Sequence, residues 1–230
     1  MIITGIQKLS LLDFPGRLCC TIFTAGCNLR CPFCHNFELT DASHCENTVR
    51  EDELLSFLHK RIRLQDGICV SGGEPLLQND LPEFLKKCKD IGLYTKLDTN
   101  GFFPDKLKKL CDSGLLDYIA MDIKSSPAGY AEATGVKDID FTRFKESIRL
   151  LIEGSVPYEF RTTVVRELHT REDMLEIAKL LHGATTYRIQ SFADSDNVPV
   201  AGLSAYSEDE LKEFLPLFSG HIDDVSLRGV

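Results

Sequence analysis

Short apolar or β-branched runs alternate with amphipathic helical runs from residue 18 onward, and this alternation limits the fold more than any other feature of the chain. Strands are expected at residues 18–23, 68–71, 94–99, 118–124, 158–165 and 187–192. Between them, apolar residues recur at helical spacing. Leu54, Phe57, Leu58 and Ile62 share one face, as do Leu81, Phe84, Leu85 and Cys88. Leu107, Leu110 and Cys111 follow Pro104, which suits a first helical position. Phe144, Ile148, Leu151 and Ile152 mark a further helix, as do Met174, Ile177, Ala178 and Leu181, then Leu211, Phe214, Leu215 and Phe218. Thr48 with Glu51, and Ser207 with Glu210, have capping-box spacing, and Thr170 is placed to cap the helix after it. Gly92, Gly114 and Gly154 are placed to end helices.

Six such strand–helix units imply a largely parallel sheet with right-handed crossovers. A doubly wound sheet would bury both faces of every strand and keep them apolar. Here polar residues recur at every second position: Lys96 and Asp98; Asp122 and Lys124; Glu159, Arg161 and Thr163; Arg188 and Gln190. Period-2 spacing puts each set on one face. Such a face is costly in a dry core and reasonable around a polar ligand. The expected architecture is therefore α/β, a partial (β/α)6 barrel over residues 18–230, with an extension over residues 1–17. The whole chain is expected to be a single domain, with its chemistry at the C-terminal ends of the strands.

The 230 residues carry 26 basic and 35 acidic side chains, a net charge of -9. That balance argues against broad nucleic-acid or anionic-membrane binding, both of which need a basic patch. No signal peptide and no apolar run long enough to span a bilayer are visible. Nine cysteines, an odd number, cannot form a complete internal disulfide set. Three are clustered and six are scattered, which points to a reducing compartment with one metal site, hence to the cytoplasm.

The cluster is Cys27, Cys31 and Cys34, in a loop just after the first expected strand. Three thiolates on one tight loop can hold three irons of a cubane and leave the fourth iron open to a small molecule. Zinc, with His35 or Cys45 as a fourth ligand, is the alternative, although zinc sites more often use two separated ligand pairs. Cys19 and Cys20 are adjacent on a strand and must point to opposite faces. Cys69, Cys88 and Cys111 read as packing residues. His44, His59, His169, His182 and His221 lack ligand-like spacing and read as surface residues.

Cys27-Asn-Leu-Arg-Cys31-Pro-Phe-Cys34 resembles the signature of the radical S-adenosylmethionine (SAM) superfamily, in which an aromatic residue precedes the last cysteine. Ser71, Gly72, Gly73, Glu74 and Pro75, after the second expected strand, are similar to that family's GGE motif. Leu97-Asp-Thr-Asn-Gly101 and Met121-Asp-Ile-Lys124 resemble the branch that activates glycyl-radical enzymes. The opening segment, Gly5-Ile-Gln-Lys-Leu-Ser-Leu-Leu-Asp-Phe-Pro-Gly16, is similar to activating proteins of anaerobic ribonucleoside-triphosphate reductases. These matches cover the first 125 or so residues, and no equally specific motif follows.

The resemblance implies a [4Fe–4S] cluster on Cys27, Cys31 and Cys34, with SAM chelating the open iron. It implies that Gly72, Gly73 and Glu74 meet the methionyl amine and Lys124 the carboxylate. It further implies that Asp98 and Asp122 help hold a monovalent cation beside the cofactor, and that Phe33 packs near the adenine. Each has a plainer reading. The glycine turn could be an ordinary strand-to-helix connection. The charged strand ends could be a structural ion-pair network, Phe33 could pack within its own loop, and Arg161 could pair with Glu159 or a neighbouring strand. The implied activity is reductive cleavage of SAM with electrons from a flavodoxin- or ferredoxin-like donor, and hydrogen abstraction from a glycine of class III ribonucleotide reductase. The alternatives are another glycyl-radical enzyme, a small-molecule substrate, or a non-enzymatic iron–sulfur carrier.

Overall fold

The computed structural model describes residues 1–45 and 48–230, with the side chain of His44 outside that description. Among the described residues, eight strands form one sheet in sequential order: β1 (Ile3–Ser10), β2 (Cys19–Thr24), β3 (Gly67–Gly72), β4 (Tyr94–Thr99), β5 (Tyr118–Asp122), β6 (Tyr158–Val164), β7 (Thr186–Ser191) and β8 (Asp224–Arg228). Among the described residues seven α-helices accompany them: α1 (Glu51–Lys60), α2 (Leu81–Asp90), α3 (Pro104–Asp112), α4 (Tyr130–Thr134), α5 (Phe141–Glu153), α6 (Arg171–Leu180) and α7 (Glu208–Lys212). β2 pairs parallel with β3 and β3 with β4, and β6 pairs parallel with β7 and β7 with β8. A sequential strand order with β1 and β8 at its two ends is the topology of a partial (β/α)6 barrel, as expected.

Both ends of the sheet hold a strand that the sequence pattern does not announce. The N-terminal extension forms β1, which runs antiparallel to β2, with Ile6 opposite Ile22 and Ser10 opposite Cys19. At the other end β8 adds to β7, with Leu227 beside Ile189. Val225 and Leu227 are its period-2 signal, but five residues near a terminus are too few to stand out.

By internal packing the chain divides into two compact units. The first comprises Met1–Asn28, Glu38–Thr99 and Phe103–Ala120; the second comprises Leu29–Phe37, Asn100–Phe102 and Met121–Val230. In the first, Ile22, Ile68, Val70 and Leu97 are fully buried together with Leu81, Phe84, Leu85 and Cys88 of α2. Burying each such aliphatic or aromatic side chain is worth roughly 1.5–3 kcal/mol. In the second, Phe144 and Ile148 of α5 and Met174, Ile177 and Ala178 of α6 are buried with Phe160, Tyr187 and Ile189 of the strands.

The capping expectations divide. Thr170 accepts from the Asp173 N–H and Ser207 from the Glu210 N–H, both in complete capping boxes. Thr48 caps nothing: α1 starts from Arg50, which makes no side-chain cap, so Thr48 lies two residues outside the helix. Glu51, Asp52 and Glu53 in the first turn favour the start of α1 instead, through the helix dipole.

Candidate active site

In the first unit, the turn after β3 lies against the end of β2. The Gly73 N–H donates to the Thr24 carbonyl at 2.8 Å and the Glu74 N–H to the Gly26 carbonyl at 2.8 Å. A Cβ on Gly72 (φ 117°) would sit 2.2 Å from the Thr24 nitrogen, and one on Gly73 would sit 2.1 Å from the Gly26 oxygen. Only glycine fits either position. The close backbone approach that calls for these glycines is therefore to the segment leading into Cys27. Glu74 is fully buried. Its Oε1 accepts from the Leu76 N–H at 3.0 Å and from the Thr99 hydroxyl at 2.8 Å, which ties the turn to the end of β4. Cys27 itself is half-buried, and its N–H donates to the Thr40 carbonyl at 3.0 Å.

On β4, Lys96 and Asp98 share a face and form an ion pair. Lys96 is fully buried and its Nζ also lies 3.8 Å from Cys69 Sγ. Cys19 and Cys69 pack with Phe14 in one buried cluster. Burial pushes the Cys19 thiol up to about 11 and the Cys20 thiol up to about 12, so both are protonated, packed thiols near neutral pH. Cys88 behaves the same way, while Cys111 is less buried than its packing role predicts.

In the second unit, the rest of the cysteine loop is anchored by the Arg30 N–H, which donates to the Thr134 carbonyl at the end of α4 at 2.8 Å. Cys31 is buried and Cys34 half-buried, with the Cys34 N–H on the Cys31 carbonyl at 3.2 Å. Burial pushes the Cys34 thiol up, and the nearby Lys124 ammonium partly offsets this. Phe33 is buried and meets His169 edge-on, with ring centres 6.0 Å apart.

His169 is fully buried, which corrects its reading as a surface residue. Its Nδ1 accepts from the Val165 N–H at 3.0 Å and its Nε2 reaches the Lys124 carbonyl at 2.8 Å. These bonds select the neutral imidazole protonated on Nε2, and burial likewise holds its pKa below the usual value. Spacing along the chain carries no sign of this, because the partners of His169 come from three separate segments.

Asp122 ends β5 and Lys124 follows it, with Lys124 Nζ 3.0 Å from Asp122 Oδ2. From β6, Arg161 holds the other oxygen, with Nε at 3.0 Å and Nη2 at 2.9 Å from Oδ1. Burial alone would raise the Asp122 pKa, but Arg161 and Lys124 outweigh it and hold the carboxyl well below the usual range. Burial likewise works against the Lys124 ammonium, and Asp122 together with Cys31 and Cys34 raises it instead. Arg161 thus pairs first with the neighbouring strand and stands 3.9 Å from Glu159, so both partners expected for it are present. Glu159, also buried, lies 3.4 Å from Arg228 and 4.0 Å from Arg188, a link to β7 and β8 that the first half of the chain does not foreshadow.

Among the described residues, no three His, Cys, Asp or Glu side chains are drawn together around a single ion position. Three thiols on one loop are the donor set that a [4Fe–4S] cluster with one iron lacking a protein ligand would take.

Residues 21–181 match the model of the radical SAM superfamily. A protein of Methanocaldococcus jannaschii provisionally named a glycyl-radical enzyme activating enzyme is 33% identical over 236 residues, covering 100% of this chain and 96% of its own. The pyruvate formate-lyase-activating enzyme of Clostridium pasteurianum is 29% identical over 185 residues, covering 78% of this chain and 75% of its own. The structure of Streptococcus suis SuiB bound to S-adenosylmethionine shares the fold, with a TM-score of 0.70 and 13% identity over 90% of this chain and 49% of SuiB. The family carries with it a [4Fe–4S] cluster and SAM, the groups that the three-thiol loop suits. The chain belongs to the radical SAM superfamily of enzymes.

Proposed function

We propose that this enzyme installs a glycyl radical on a partner protein, the class III ribonucleoside-triphosphate reductase. When bound, the cluster and SAM supply reductive cleavage to methionine and a 5′-deoxyadenosyl radical, which takes a hydrogen from a glycine α-carbon. The observation that carries the reading is the three-thiol loop, in a chain similar along its whole length to a protein named for activating glycyl-radical enzymes. Cys27, Cys31 and Cys34 would hold the cluster. Lys124, poised as a cation between Asp122 and the cysteine loop, would take the methionyl carboxylate. The Gly72–Gly73 turn would offer backbone to the methionyl amine, with Glu74 bracing the turn from behind. Phe33 would border the adenine. No side chain need act as acid or base. A monovalent cation is left out of this reading, because Asp98 and Asp122 already hold protein-borne cations.

The electron would come from a flavodoxin- or ferredoxin-like protein, in the reducing cytoplasm that nine free thiols suit. Among the described residues no helix is long and apolar enough to cross a membrane.

A second reading has a different glycyl-radical enzyme as the partner, and similarity to the Clostridium pyruvate formate-lyase-activating enzyme favours it. Anaerobic co-expression with each candidate, followed by EPR, separates them. A glycyl doublet on the reductase supports the first reading. A doublet only on another enzyme selects the second, and no doublet on any glycyl enzyme removes both.

A further inference from the structure

The family resemblance implies a monovalent cation held by Asp98 and Asp122, and the two carboxylates do not suit it. Lys96 stands two residues before Asp98 on β4, so the pleat turns both to the same face. Lys96 is fully buried, and its ammonium is bonded to Asp98 Oδ1. A buried ammonium needs such an anion, because without one its desolvation is uncompensated. In the second unit, Asp122 already accepts from Lys124 on one oxygen and from Arg161 on the other. Both oxygens of Asp122 are thus already taken by cations of the protein itself. A carboxylate already neutralised by a buried or fixed protein cation is a poor donor for a further sodium or potassium ion, and both aspartates are in that position.

We propose that Lys96 is the resident counter-ion of Asp98, and that this enzyme works without bound Na⁺ or K⁺. The role of Lys96 is positioning: it holds the Asp98 carboxylate in place beside the cofactor, and its fixed charge does the work of a diffusible ion. The inference rests on the reading that SAM occupies this barrel.

Two measurements test it. The first is a thallium(I) NMR titration of the wild-type protein, with Tl⁺ standing in for K⁺. The second is 5′-deoxyadenosine formation by anaerobically reconstituted enzyme, with tetramethylammonium chloride or KCl at matched ionic strength. Wild type shows no saturable Tl⁺ binding, and its rate changes less than about twofold with KCl, below the roughly fivefold onset of ordinary coupling. The Lys96→Met variant keeps the length of the side chain and removes its charge. It gains saturable Tl⁺ binding, and its rate rises about tenfold or more with KCl. Saturable Tl⁺ binding by wild type, or a Lys96→Met variant that ignores KCl and runs at the wild-type rate, overturns the proposal. Should Lys96→Met fail to fold, the wild-type titration decides alone. A wild type that forms no 5′-deoxyadenosine counts against the proposed function, and the titration still reads the cation question separately.

Discussion

His169 Nε2 lies 2.8 Å from the carbonyl oxygen of Lys124, so a buried neutral imidazole holds the backbone of the lysine that pairs with Asp122. The same ring meets Phe33 edge-on, which places it behind both the loop and the lysine. Replacing His169 with Phe keeps the volume but leaves the Lys124 carbonyl and the Val165 N–H without this partner. The expected cost is about 1–3 kcal/mol, read by urea denaturation of the apoprotein. An unchanged midpoint would show that the ring is mere filling.

His169 also sets a pH dependence. Its folded pKa is lowered, so the unfolded chain binds its proton more readily. The stabilisation is complete above the unfolded value of about 6.5 and is lost as pH falls from there through the folded value. Stability of the apoprotein should decline through this window, and His169→Gln should flatten that part of the decline. Parallel curves for the two proteins would contradict it.

Asp122 and Lys124, by contrast, keep their charges near neutrality. The Asp122 pKa is lowered, so its contribution is present above the unfolded carboxylate value of about 4 and is lost only as pH falls through the folded value. The Lys124 pKa is raised, so its contribution is lost only as pH rises beyond about 10. Neither group changes charge between these limits. The pH profile of 5′-deoxyadenosine formation should therefore show no step from this pair around neutrality. Asp122→Asn should weaken SAM binding by a similar factor across that range, as measured by equilibrium dialysis.

Ser at Cys31 should abolish both the cluster's visible absorption and 5′-deoxyadenosine formation, since a hydroxyl is a poor substitute for a thiolate on iron. Ser at buried Cys88 should leave both in place. Activity that survives in Cys31→Ser would refute the assignment of the loop.

Gly73→Ala sets a Cβ 2.1 Å from the Gly26 oxygen, and Gly72→Ala sets one 2.2 Å from the Thr24 nitrogen. The obstacle is backbone on both sides, so the turn must move. A loss on the order of 2–4 kcal/mol is expected for each. Gly114→Ala is the control: it also has positive φ (67°), but nothing lies within 4 Å, so only the roughly 1–2 kcal/mol conformational cost remains. Equal losses at the three positions, measured by denaturation, would mean that the clash is relieved elsewhere.

The sequence by itself determined the parts that are local. Helical periodicity and caps such as Thr170 and Ser207 mark their elements because partners three or four residues apart meet within one turn. Alternation along β4 to β7 likewise marks the polar face. Tertiary structure decided what depends on residues far apart in the chain. Arg161 chose Asp122 across the strands. Glu74 turned inward to Thr99, and His169 went to the core instead of the surface. A buried polar group must find a partner wherever the fold supplies one. The partner's position along the chain is free, so no spacing rule can announce it.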